Sequence, residues 1–107
     1  MKLIPLPESE VTSDTPERET RVEDRITSWA KRNGWWCSKY VSPGKRGVPD
    51  RVFIRKGIVV FIEVKRPGKE PTRQQYKRHA DMRAKGANVY WADNHEDAIR
   101  ILASFDI

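Results

Sequence analysis

Eight residues, Ile58-Val-Val-Phe-Ile-Glu-Val-Lys65, constrain the fold more than any other stretch of the 107-residue chain. They form an almost wholly apolar run that ends in two charges. In a β-strand successive side chains point to opposite faces. Ile58, Val60, Ile62 and Val64 therefore share one face, and Val59, Phe61, Glu63 and Lys65 the other. A carboxylate and an ammonium in such a strand are costly unless something there needs them. A second short strand precedes it, Arg51-Val-Phe-Ile54, behind the tight Gly47-Val-Pro49 lead. The turn Arg55-Lys56-Gly57 joins the two. If they pair as an antiparallel hairpin, Asp50 falls at the same end as Glu63 and Lys65. Two carboxylates and one ammonium at one strand end suit a hard, oxygen-seeking cation and a polarised water.

The charge balance supports a polyanionic partner. The net charge is +6, and it is unevenly spread. Residues 1–38 carry a net of −1, residues 39–85 a net of +10, and residues 86–107 a net of −3. All the positive excess surrounds the proposed site, as expected of a protein that meets nucleic acid. The single cysteine, Cys37, excludes an internal disulfide framework and a cysteine-based zinc cluster. Cys37 reads as a small apolar core residue. No apolar run approaches the ~18 residues of a membrane span, and the N-terminus lacks a signal-peptide core. A cytoplasmic protein of a bacterium or a phage-infected cell, with no membrane partner and no organic cofactor, is the expectation.

In chain order, residues 1–15 are rich in Pro, Ser, Thr and Glu without periodicity and read as a mobile tail, or as an arm that orders against a partner. One domain, residues 16–107, follows. Thr15-Pro16 offers a helix start, and the helix runs to about Asn33 with Gly34 beyond it. Val22, Ile26, Trp29 and Ala30 are its apolar stripe. Glu19 and Glu23 lie along one edge of that stripe, and Glu19 reads as an ordinary surface glutamate. Trp35 to Val41 reads as a strand whose adjacent tryptophans belong to core and interface. The loop Ser42-Pro-Gly-Lys-Arg-Gly47 places Lys45 and Arg46 where they can grip phosphates. Thr72-Arg-Gln-Gln75 has the T-x-x-Q capping-box pattern and opens a helix from Arg73 to Lys85. Arg73, Lys77 and Arg78 on that helix can neutralise phosphates, and Arg51 and Arg66 are counted with them as DNA contacts. His79 reads as a core histidine. Asn88 to Ala92 is a fourth strand, and Asp93-Asn94-His-Glu96 opens a last helix. The order is α-β-β-β-α-β-α: an α/β domain with a mixed sheet flanked by helices.

Pro49-Asp50 followed by Glu63-Val64-Lys65 has the PD…ExK form of the PD-(D/E)XK nuclease superfamily. The wider run Ser42-Pro-Gly-Lys-Arg-Gly-Val-Pro-Asp-Arg51, then Phe61-Ile-Glu-Val-Lys65-Arg-Pro-Gly68, then Gln75 and His79, closely resembles stand-alone VRR-NUC domains (virus-type replication–repair nucleases) of phages and bacteria. The resemblance covers roughly Glu19 to Leu102 and implies a restriction-endonuclease-like core. It implies that Glu23 helps Asp50 and Glu63 hold Mg²⁺ or Mn²⁺, with the backbone carbonyl of Val64 as a further oxygen ligand. It places Gln75 beside the metal site, so that residue carries both a capping and a site reading. Lys65 then orients or deprotonates the attacking water. The activity implied is a metal-dependent DNA endonuclease, homodimeric and acting on branched DNA such as Holliday junctions. A flap, single-strand or duplex nuclease, and a non-catalytic DNA-binding protein of the same fold, are the alternatives.

Overall fold

The computed structural model describes residues 18–105. The expected tail and the Thr15-Pro16 helix start lie outside the described residues. Three helices and four strands follow in the expected order: α1 Glu19–Arg32, β1 Trp36–Lys39, β2 Arg51–Arg55, β3 Ile58–Val64, α2 Arg73–Ala84, β4 Asn88–Ala92 and α3 His95–Ala103. The strands form one sheet in the order β1-β2-β3-β4. The first three are antiparallel neighbours, and β4 joins β3 in parallel after the α2 crossover.

The β2–β3 hairpin closes through a two-residue turn at Lys56 and Gly57, both with positive φ (47° and 81°). Turns with two left-handed residues match the right-handed twist of paired strands. This turn fixes the register Arg51↔Ile62, Phe53↔Val60 and Arg55↔Ile58. A slip of one residue would send every apolar side chain to the wrong face.

Alternation then builds the core. Phe53, Val60, Ile62 and Val64 are fully buried on one face, where Val22, Ile26 and Ala30 of α1 and Ala98 and Leu102 of α3 cover them. The expected α1 stripe is the one used, with Trp29 packed at its margin. Burying Phe53 completely contributes on the order of 1.5–3 kcal/mol. The two tryptophans separate: Trp35 is buried just before β1, and Trp36 is exposed on the opposite face. On that face α2 packs near β4, where Tyr76 meets Trp91 edge-on at 6.3 Å. It leaves the β1–β2 side open, so Trp36, Ile54 and Val59, which lie in one register row, stay exposed.

α2 starts as its sequence dictates. Thr72 Oγ1 accepts from the Gln75 N–H at 3.1 Å, and Gln75 Oε1 accepts from the Thr72 N–H at 2.9 Å, completing the capping box. Asn94 caps α3 by accepting from the Asp97 N–H.

Candidate active site

Hairpin register brings the ends of β2 and β3 together with the start of α1. Asp50 is the residue before β2, and its Oδ1 accepts a hydrogen bond from the Val64 N–H at 3.1 Å. That bond bridges the two halves of the PD…ExK pattern. From the helical side, Glu19 and Glu23 descend one turn apart. One carboxylate oxygen from each of Glu19, Glu23 and Asp50 lies within 4.8 Å of the others. The edge position of the two glutamates on the α1 stripe aims them over the strand end. Glu19 thereby joins the site, contrary to the expectation of a surface glutamate. The four-residue spacing Glu19–Glu23 is the sequence signal that points to it.

Glu63 belongs to the same acidic region but faces the other way. It is 4% exposed, with Oε2 3.5 Å from Lys65 Nζ and Oε1 3.9 Å from His79 Nε2. β3 alternation explains this, since Glu63 projects to the α2 side of the sheet and Ile62 to the α1 side. The site therefore straddles the sheet end: Glu19 and Glu23 above, Glu63 and Lys65 below, Asp50 between.

The crowding shows in the protonation equilibria. Burial, then the negative charge of Glu63, pushes Asp50 up to about 7, against the Val64 N–H that favours its ionised form. Burial likewise raises Glu63 to about 7, although Lys65 opposes the shift. Carboxylates that ionise this reluctantly when packed together are stabilised by a cation among them. The donor set is all hard oxygen, which fits Mg²⁺ or Mn²⁺ and not a soft metal.

Arg51, expected among the DNA contacts, is engaged inside the domain. Its guanidinium is turned inward and donates to Glu23 Oε2 at 2.8 Å, with the Arg51 side chain only 14% exposed. As the partner of Ile62, Arg51 lies on the α1 side of β2, where it pairs with Glu23. Gln75 is engaged in the capping box described above, and its site reading requires that bond to open. Lys45, Arg46, Arg66, Arg73 and Lys77 are exposed. A groove of about 760 Å³ is lined by Arg73, Gln74, Lys77, Arg78 and Asp81. Arg78 Nε donates to the Arg46 carbonyl at 2.9 Å and ties the basic loop to α2. Gly47 makes this contact possible: at φ 82° a Cβ there would stand 2.8 Å from the Gln74 carbonyl oxygen.

No family model matches the chain. A curated relative, "Putative nuclease p44" of Acyrthosiphon pisum secondary endosymbiont phage 1, is 40% identical over 80 residues, which span 74% of this chain and 86% of that protein. A solved structure described as a VRR_NUC domain is similar with a TM-score of 0.74 and 26% identity, covering 81% of this chain and 96% of its own. Sheet order, flanking helices and both likenesses agree on the class, a nuclease domain. Within that class the chain belongs to the VRR-NUC family.

Proposed function

We propose that this nuclease is a metal-dependent DNA endonuclease in which Asp50, Glu63 and Glu23 hold Mg²⁺ or Mn²⁺, with Glu19 and the Val64 carbonyl as further oxygen donors. The observation that carries the reading is the convergence of the Glu19, Glu23 and Asp50 carboxylates within 4.8 Å, at the strand end where Asp50 bonds the Val64 N–H and the charge of Glu63 reaches it from the other side of the sheet. A divalent cation bound there would supply Lewis-acid stabilisation of the charge that builds on the phosphate oxygens.

The chain's own residues supply the rest. Lys65 Nζ stands beside Glu63, where it can orient the attacking water or accept its proton. Lys45 and Arg46 on the loop before β2, with Arg66, Arg73, Lys77 and Arg78, form a basic surface on the α2 side. It suits a DNA backbone and holds the scissile phosphate over the acids. Gln75, one helical turn before His79, can reach the site if its capping bond to Thr72 opens.

The substrate is branched DNA, such as a four-way junction, cut by a homodimer in the cytoplasm of a bacterial or phage-infected cell. Two-fold symmetry presents two sites to two equivalent strands. The uncovered row Trp36, Ile54 and Val59 is an apolar surface that a second copy can bury. No helix among the described residues is long and apolar enough to cross a membrane. The test is incubation with end-labelled four-way, flap and plain duplex DNA, with Mg²⁺ or with chelator. Paired, symmetric incision of the four-way junction that chelator abolishes supports the reading. Chelator-insensitive binding without cleavage overturns it.

A further inference from the structure

His79 is wholly buried, yet neither ring nitrogen has a hydrogen-bond partner among the described residues. Buried polar atoms in native proteins are nearly always paired, so an imidazole left open needs a reason. An apolar side chain would fill the same space on α2 without that cost. A carboxylate stands close by: Glu63 Oε1 is 3.9 Å from His79 Nε2. That separation is too long for a hydrogen bond, and a closure of about 1 Å brings it into range.

We propose that His79 is a positioning residue for Glu63: its Nε2–H donates to Glu63 Oε1 and fixes the angle at which that carboxylate meets the divalent cation. The inference rests on the metal-dependent reading above. Three features favour it. Lys65 addresses the other oxygen, Oε2, at 3.5 Å, so the two contacts restrain Glu63 from both sides. Each carboxylate oxygen keeps a lone pair for a cation after accepting one bond. The anchoring is rigid as well, because His79 follows a fully formed capping box by one turn and the Gly47 loop packs against the same helix.

The experiment compares wild type, His79→Leu, His79→Gln and Glu63→Gln. Mn²⁺ affinity is measured calorimetrically without DNA, kcat and KM on a labelled cleavable substrate, and thermal stability in chelator. His79→Leu is expected to unfold at the same or a higher temperature than wild type. It should bind Mn²⁺ about tenfold more weakly and lose a similar factor in kcat at unchanged KM, the range typical of groups that orient metal ligands. His79→Gln, which keeps a donor, should recover part of both. In wild type loaded with Mg²⁺, ¹⁵N resonances of the ring should report the Nε2–H tautomer. A stable His79→Leu protein with wild-type Mn²⁺ affinity and kcat overturns the inference. So does an Nδ1–H tautomer, and that measurement needs no folded variant. The Glu63→Gln arm separates the two levels. If it loses Mn²⁺ binding while His79→Leu does not, only the role of His79 fails. If wild type itself binds no Mn²⁺, the metal reading fails.

Discussion

Replacing Asp50 by Asn should make the metal-free protein more stable at neutral pH while destroying its activity. The amide oxygen of the substituted side chain can still accept from the Val64 N–H, so the bridge between β2 and β3 is kept. What disappears is a buried negative charge that lies beside Glu63 and has an oxygen within 4.8 Å of those of Glu19 and Glu23. At that distance each like-charge pair costs about 1 kcal/mol in bulk water and about 3.5 kcal/mol at an effective dielectric constant of 20. The site is partly open to solvent, and Arg51 neutralises Glu23, so the lower part of that range applies. A gain of about 2 kcal/mol is expected, which for a domain this small raises Tm by roughly 8–15 °C. The pH dependence gives the sign. Asp50 titrates at about 7 when folded, against 3.8 in an unfolded chain. A raised carboxylate leaves stability intact below about pH 4 and erodes it as pH climbs towards 7, because the folded state then holds the extra proton. The advantage of Asp50→Asn should therefore be small near pH 4, grow up to about pH 7 and stay level above. Thermal unfolding followed by circular dichroism in chelator, from pH 4 to 8.5, measures it. A variant no more stable than wild type at pH 8, or an advantage independent of pH, would refute the reasoning.

Further outcomes follow from the same geometry. Lys65→Ala should abolish cleavage yet leave DNA binding within a few-fold of wild type in a gel-shift assay, since Lys65 sits among the acids and not on the outer basic surface. Lys77→Ala should weaken binding to all sequences alike and lower the slope of log K against log salt by about one. Gly47→Ala should be less stable than wild type in thermal unfolding, because its Cβ meets the Gln74 backbone at a φ that L-residues rarely adopt. It should also cleave more slowly, as the loop carrying Lys45 and Arg46 is displaced.

The hairpin is legible in the sequence because two independent signals coincide there. The apolar alternation of Ile58–Val64 and the turn at Lys56-Gly57 define the same register, and that register alone brings Asp50 to Glu63. The capping boundary at Thr72 is legible because its donors and acceptors are all local. Glu19 and Arg51 escape a sequence reading for one reason. Their neighbours come from other elements, and the packing of α1 on the sheet decides which way each charge turns. Arg51 does carry a hint, since it shares a face with Phe53 and so points towards the core side. Trp35 and Trp36 show how finely this depends on phase: two identical side chains one residue apart, one in the core and one in solvent. His79 reads as core, and it is buried, but its missing hydrogen-bond partner depends on packing that no local pattern encodes.

The most direct measurement is an anomalous difference map from a crystal soaked in Mn²⁺. The account predicts a peak about 2.2 Å from carboxylate oxygens of Asp50 and Glu63, in reach of Glu23. A map with no peak at that strand end, from protein that still cleaves DNA, would contradict it.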